Sequence, residues 1–379
     1  MTPLVESVEI TPFRLPLRRS VRYAIGSDDV AEHVLVAVRL ADGTTGYGEA
    51  IPRPMVYGET LASVLDVLDR VLAPAAVGTP VGRPELFRAR TRHLVGNPTA
   101  RSAVELAMFD ALARFVGLPA YQLLGGHAGD VAAATLLSWG RPDEVAAAAV
   151  EASTGWGVTA FKLKVGIDPD LDIATTRAVR TALGPDALLY ADANQGYTSA
   201  QAARFVAATR EAGLAWLEEP CPPGAVGGPA YARSSPVPVV GDESCPDPAS
   251  AGAAVLAGRV GMVSIKTART ALRRSATIRD FCAVAGVDVV VGSQGESAVG
   301  TFAAASFAAA TPDTSRYPAE VLYFLDLPHD IAREPPVVAG GRLRLPDRPG
   351  FGFELDTGAL AAAACGPTVR VGAEVPVGR

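Results

Sequence analysis

TAFKLKV at residues 159–165 and ALLYADAN at residues 187–194 decide how this chain is read. Each is a short apolar run rich in β-formers that stops at a charged residue, and each gives way to a segment of helical period. The theme continues outward through GLAWLEEP, VPVVGDES, GMVSIK, VDVVVGS and YPAEV, with AAATLLS ahead of them, so eight candidate strands emerge. Their polar ends fall at Lys164, Asp192, Glu218, Asp242, Lys266, Gly292 and Glu320, at intervals of 28, 26, 24, 24, 26 and 28 residues. One strand, one helix and two loops fill about that length in a barrel of alternating strands and helices. An open doubly wound sheet needs a Gly-rich phosphate turn after its first strand, and TLLSWGRPDE has none. The expectation is an α/β fold of the barrel kind.

Upstream, VESVEITPFRL and EHVLVAVRL read as strands, and the second runs into ADGTTGYGE, whose Asp-Gly marks a hairpin turn. Helical periods follow from Thr60 to Leu124 and stop at Gly125-Gly126. An α+β module over residues 1–128 therefore precedes a barrel over 129–335, and 336–379 is expected to return to the first module. Its last stretch, TVRVGAEVPVGR, shows no packing pattern.

Lys plus Arg number 34 against 40 Asp plus Glu, a formal net charge of −6 that cannot supply the counterion release nucleic-acid binding depends on. Hydrophobic residues at 49% and charged residues at 20% allow a sizeable core and exclude general disorder. Cys221, Cys245, Cys282 and Cys365 lie far apart and read as thiols, forming neither a disulfide framework nor a close metal spacing. Neither a leader pattern at MTPLVESVEI nor an apolar run of about 18 residues appears, so a cytoplasmic protein without a membrane partner is expected.

Barrel enzymes carry their chemistry at the C-terminal strand ends. Buried carboxylates at Asp192, Glu218 and Asp242, on three consecutive strands, need a cation among them, and three oxygen donors suit Mg²⁺ or Mn²⁺. No histidine (His33, His93, His127, His329) lies at a strand end, which argues against zinc. Lys162 and Lys164 share one strand face, with Phe161, Leu163 and Val165 on the other. Two ammonium groups so close are expected to depress one another, from near 10.4 toward roughly 7–8, where a lysine serves as general base. Lys266 arrives four strands further round. The plainer alternative is that the lysines only neutralise the acids.

These positions resemble the enolase superfamily, in particular its muconate-lactonizing (muconate cycloisomerase) subgroup. The resemblance spans nearly the whole chain: GYGEA from Gly46, AVELAMFDALARFVGLPAYQLLGG from Ala103, the Lys162-x-Lys164 pair, ADANQGYT from Ala191, LEEP from Leu217, GDES from Gly241, SIK ending at Lys266, GESAVGT from Gly295 and AEV around Glu320. It implies a modified TIM barrel, (β/α)₇β, under an N-terminal α+β capping domain, with metal ligands at Asp192, Glu218 and Asp242. It also implies acid–base lysines at Lys164 and Lys266 with Lys162 tuning Lys164, support from Asn194 and Glu243 behind the ligands, and a hydrogen bond from Glu320 to the enolate or its neighbours. A homo-oligomer is expected on the same ground. The mandelate racemase branch has a histidine on the seventh strand, where this chain reads GSQGES. Substrate contacts are expected from two capping loops and the last strand ends, with Tyr23, Arg22, Arg53, Met55, Tyr57, Arg269 and Glu296 as candidates. This chain departs from the pattern after Lys266, where TARTALRR replaces a Gly-Gly pair, and at the eighth strand, which lacks the Asp-x-Asp that holds the ammonium in dipeptide epimerases. RPMVYGET, in contrast, resembles capping loops of racemase and epimerase relatives.

The sequence is thus read as a divalent-metal-dependent isomerase of a small-molecule carboxylate, a cycloisomerase that moves a proton α to the carboxylate through an enolate. Racemisation or epimerisation of N-acyl amino acids or dipeptides is the alternative on the same site. A Schiff-base aldolase and a non-catalytic carboxylate-binding barrel are more remote.

Overall fold

The computed structural model describes residues 2–225 and 227–372. Three antiparallel strands, β1 (Val5–Tyr23), β2 (Gly26–Leu40) and β3 (Thr45–Ala50), form a capping sheet, and Val369–Gly372 adds a fourth along the edge of β1. That last strand was not anticipated from TVRVGAEVPVGR; it is held by pairing with β1, a long-range contact that local pattern does not report. Residues 373–379 of the same stretch lie outside the described residues. Asp42-Gly43 makes the expected turn, with Gly43 at φ +91° and the Thr44 amide donating to Asp42 Oδ1 at 3.0 Å.

β1 runs eight residues beyond the Leu15 at which its apolar alternation stops. The extra length, PLRRSVRY, is zipped to Gly26–Val30 of β2 across a register shift between Pro16 and Val21. This polar hairpin tip carries Tyr23 and Asp28 to the barrel mouth. The helix Pro98–Val116 lies against β3 so closely that a Cβ on Gly46 would stand 2.1 Å from Ala111 N, and one on Gly48 2.1 Å from Ala103 O. The GYGEA glycines are therefore a packing requirement.

The barrel strands are β4 (Asp130–Leu137), β5 (Ala160–Lys164), β6 (Leu188–Asp192), β7 (Leu214–Glu218), β8 (Val239–Gly241), β9 (Met262–Ile265), β10 (Asp288–Val291) and β11 (Ala319–Glu320). β4 to β10 pair in parallel, each with the next, and β11 pairs in parallel with β4 while packing against β10. All eight expected runs are strands, and the α/β barrel beneath a capping domain is the observed fold. A hairpin, Val337–Ala339 with Arg342–Arg344, adds to β4 antiparallel. Among the described residues no helix is long and apolar enough to cross a membrane.

The capping sheet is tied to a barrel helix by a buried acid. Glu49 at the end of β3 accepts from the Ser297 amide (3.1 Å), the Ser297 hydroxyl (2.8 Å) and the Gly300 amide (2.8 Å), at the start of the helix Ala298–Ala308. Otherwise unpaired N–H groups of a barrel helix are thus satisfied from the capping domain.

Candidate active site

Period two along the strands explains the site. Ala134, Ala160, Tyr190, Trp216, Val240, Met262 and Val290 form an apolar floor inside the barrel. Two residues further along, the same inward faces present Leu136, Lys162, Asp192, Glu218, Asp242, Ser264 and Gly292. Lys164 and Lys266 stand two residues higher again, at the mouth. Phe161, Leu163 and Val165 face outward into the helix-packed core, as expected.

Lys162 is 1% exposed and its Nζ lies 3.0 Å from Asp192, 2.9 Å from Glu218 and 3.0 Å from Glu320. Lys164 Nζ donates to Asp192 Oδ2 at 2.6 Å and to Asn194 Oδ1 at 2.9 Å. Across the mouth, Lys266 pairs with Asp242 Oδ2, and Arg269 Nη1 donates to Asp242 Oδ1 at 2.8 Å. Asn194, whose φ is +39°, also donates from Nδ2 to Glu243 Oε1 at 2.9 Å and from its amide to Asp192 Oδ1 at 2.9 Å. Tyr190, in the floor, donates to Glu320 at 3.2 Å.

Burial sets the charge balance, and each group responds to its partners. Burial works to raise Asp192, but Lys162 and Lys164 hold it down to about 2. Asp242 is lowered further by Lys266 and Arg269, against its own burial. Burial pushes Glu218 well above the ordinary carboxylate range; Lys162 opposes this, and Asp192, Glu320 and Asp242 add to it. The expected depression of Lys162 is not found. Although burial lowers it, Asp192, Glu218 and Glu320 raise it well above an ordinary lysine, because carboxylates rather than Lys164 are its nearest charges.

Among the described residues no group of three or more Asp, Glu, His or Cys side chains stands in metal-holding geometry. Asp192, Glu218 and Asp242 are instead drawn onto the neighbouring cations. The donor set still suits a hard divalent ion. All its donors are carboxylate oxygens, and Glu218 Oε2 and Glu243 Oε2 are buried without a hydrogen-bond partner. An orphaned carboxylate oxygen among like charges is relieved by a cation.

A pocket of about 630 Å³, counting its open mouth, is lined at one end by Lys162, Lys164, Lys266, Asn194, Glu243 and Glu320. At its other end stand Tyr23, Asp28, Arg53, Tyr57, Gln294 and Tyr323, with Val21, Ile25, Val56 and Leu136 as apolar walls. Of the expected contacts, Tyr23, Arg53 and Tyr57 line it. Arg269 and Glu296 do not. Arg269 is 2% exposed behind Asp242, and Glu296 is spent on the Ser293 hydroxyl and the Gln294 amide (2.8 Å), fixing the turn after β10. Arg22 faces a separate groove beside Trp139, and Met55 is 71% exposed outside the mouth.

Residue patterns did not reveal Asp28, Gln294, Tyr323 or Glu219. Glu219, in the left-handed region at φ +35°, accepts from the Asp242 amide (2.6 Å) and the Ser244 amide (2.8 Å) and so braces the Asp242 turn. Burial first, then the Glu243 charge, pushes it up to about 8. The doubled acid of LEEP was its signal in the sequence. Asp28 sits in the polar hairpin tip at the start of β2, and Gln294 and Tyr323 on a loop and a short turn, where no apolar period marks them.

Fold and mouth together define a capped barrel enzyme. The chain belongs to the mandelate racemase and muconate-lactonizing branch of the enolase superfamily: residues 6–125 match the mandelate racemase / muconate lactonizing enzyme N-terminal domain, and 144–359 the enolase C-terminal domain-like family. A muconate lactonizing enzyme from Mycobacterium smegmatis, solved with muconolactone, is 34% identical over 97% of this chain and 100% of its own, with a TM-score of 0.94. Muconate cycloisomerase 1-2 of Acinetobacter lwoffii is 32% identical over 94% of both chains. A dipeptide epimerase from Enterococcus faecalis, solved with Mg and L-Leu-L-Tyr, is 27% identical over 93% of this chain and 100% of its own, with a TM-score of 0.88. The chain is accordingly an isomerase-type enzyme.

Proposed function

We propose that the enzyme is a cycloisomerase that transfers a proton at the carbon α to a carboxylate, with Asp192, Glu218 and Asp242 holding Mg²⁺ or Mn²⁺. The observation that carries this reading is the placement of Lys164 and Lys266 on the same pocket, four strands apart, with the ion-paired Lys162 between them at the floor. When bound, the divalent ion supplies positive charge beside the carboxylate oxygens.

The chain's own residues divide the remaining work. In the lactone-opening direction the Lys164 amine takes the α-proton, and the C–H electron pair moves into the carboxylate to give an enolate. That pair then returns to form a C=C bond as the ring C–O bond at the β-carbon breaks, leaving a second carboxylate. Ring closure is the reverse. Lys162, held charged by three acids, supplies fixed positive charge near the enolate, and Glu320 with Tyr190 orders that floor. Lys266 assists electrostatically from the opposite side. Support for a substrate without an ammonium group comes from β11, where buried Val321 and Leu322 follow Glu320 and no pair of aspartates is offered.

Racemisation or epimerisation is the second reading, favoured by Lys266 facing the pocket as directly as Lys164 does. Incubation in D₂O with a panel of lactone acids and N-acyl amino acids tests both. Exchange at the α-carbon is expected, lost with EDTA and restored by Mg²⁺. Elimination of the ring oxygen marks the cycloisomerase, and loss of optical activity marks the racemase. Borohydride trapping of substrate on a lysine, with exchange indifferent to EDTA, would refute both readings.

A further inference from the structure

The two ends of the pocket are joined by one chain of hydrogen bonds that runs through side chains and the backbone carbonyl of Gln294. It starts at Asp28, whose Oδ2 takes Arg53 Nη1 at 2.7 Å, and passes through Arg53 Nη2 to the Gln294 carbonyl. A Cβ on Gly295 would stand 2.6 Å from Arg53 Nη2, so only glycine leaves that contact its room. Gln294 Nε2 then donates to the Tyr57 hydroxyl, which also accepts from Arg269 Nη1 at 3.3 Å. Arg269 ends the chain on Asp242, with Nη1 donating to Oδ1 at 2.8 Å and to the backbone carbonyl at 3.1 Å. Its Nη2 is fixed by the Ser264 and Cys245 carbonyls, at 3.1 and 3.4 Å. Tyr57, on the four-residue helix Pro54–Tyr57, is the guanidinium's hydrogen-bond partner from the capping domain.

We propose that Arg269 is a positioning residue that ties Tyr57 of the capping segment to the Asp242 carboxylate, so that seating this segment and aiming Asp242 are one event. The proposal rests on the reading that Asp242 is a metal ligand. Asp242 has both oxygens engaged, Oδ2 by Lys266 and Oδ1 by Arg269, so its orientation follows from where those two cations stand. Lys266 is reached directly from the pocket. Arg269 touches no part of it, and the capping segment acts on it only through the phenol. A tyrosine at the pocket wall thereby influences a carboxylate with which it shares no hydrogen bond.

The test is Mg²⁺ affinity, measured by titration calorimetry without substrate on the full chain and on Tyr57→Phe, Arg269→Lys and the double variant. Tyr57→Phe removes only the hydroxyl and is expected to weaken Mg²⁺ binding about threefold to tenfold, the size of one ordinary hydrogen bond, since the phenol reaches Asp242 only through Arg269. Arg269→Lys keeps the charge but cannot span both partners, so adding Tyr57→Phe to it should weaken binding no further. Where turnover is measured, Tyr57→Phe should lower kcat as well as raise KM, whereas a simple wall contact would move KM alone. A Tyr57→Phe affinity within twofold of the parent, or full additivity in the double variant, overturns the relay while leaving the metal reading intact. Absence of Mg²⁺ binding to the parent protein overturns the metal reading and the relay together.

Discussion

The pocket's two ends are built by opposite means. At the barrel end, Lys162, Asp192, Glu218 and Asp242 stand two residues beyond a floor residue of their own strands, and Lys164 and Lys266 stand four beyond, so the backbone itself aims them. At the capping end, Asp28, Arg53, Tyr57 and Gln294 sit on a hairpin tip, a loop, a four-residue helix and a turn, and they hold one another. Under the proposed function, groups fixed by strand period act alike on any acid presented to them. Groups fixed by mutual contact can be rearranged without disturbing the barrel, which suits them to choosing among acids. Changes at the barrel end should therefore affect every substrate alike.

The largest expected effect tests that directly. Lys164→Ala should lower α-deuterium exchange by about 10²–10⁴-fold for every acid the parent accepts, the range for a lost general acid or base. Circular dichroism and melting should be nearly unchanged, since Lys164 is only one of two ammonium groups on Asp192. Exchange within tenfold of the parent on any one acid would remove Lys164 from the role proposed for it. Lys162→Met should act on stability instead. It strips the shared ammonium from Asp192, Glu218 and Glu320, and removing one partner of buried ion pairs costs ~3–5 kcal/mol. Urea unfolding with EDTA should show that loss, and Mg²⁺ should return part of it by replacing the missing charge. Equal losses with and without Mg²⁺ would mean that no cation shares these acids.

The same contrast governs how much could be read in the sequence. All eight barrel strands and the six charged residues named above were legible because alternation and a repeat of 24–28 residues leave marks that survive without tertiary information. Arg53, Tyr23 and Tyr57 were reachable only by resemblance to the family's capping loops. Arg269 and Glu296 were misplaced because the first turn of a helix and a loop turn can aim a side chain either into a pocket or behind it, and neither spacing nor charge decides which. Asp28 was missed for the converse reason. It is one of two adjacent aspartates at a polar tip, and only the fold shows that it meets Arg53 while Asp29 pairs with Ser20.

A smaller effect is expected at the capping end, on the short turn Tyr323–Asp326 that supplies Tyr323 to the pocket wall. Burial pushes Asp326 up to about 6; Arg19 and Arg18 oppose this only partly, and Glu151 adds to it. A carboxyl raised on folding favours the protonated form. Its stability contribution is thus fully present below the ordinary aspartate range and is lost as pH rises through about 6. Asp326→Asn should match the parent near pH 4 and exceed it near pH 8 by ~1–2 kcal/mol, allowing for its partial exposure. Denaturation at the two pH values checks this, and a variant that falls below the parent at pH 8 would show that the charged form is favoured instead.

The smallest effect belongs to the seam between the two ends. Ala271, two residues beyond Arg269, has φ +48° and ψ −169° and breaks the helical run Thr267–Ala285. Non-glycine residues held in such a region cost ~1–3 kcal/mol, and here the conformation is imposed by neighbours: the Ser275 hydroxyl donates to the Ala271 carbonyl and stands 2.7 Å from Thr270 Oγ1. Glycine would adopt the same backbone freely, but it also loosens the unfolded chain by ~0.5–1 kcal/mol and gives up a buried methyl. With the buried methyl worth ~0.8 kcal/mol, a net gain of ~0.5 kcal/mol, or ~1 °C in Tm, is the expected outcome for Ala271→Gly, with exchange rates unaltered for all acids. A lower Tm would mean that the packed methyl outweighs the strain. A slower exchange at unchanged or higher Tm would mean that the strained backbone is what keeps Arg269 on Asp242, and the aim of that carboxylate would then depend on loop strain as well as on strand period.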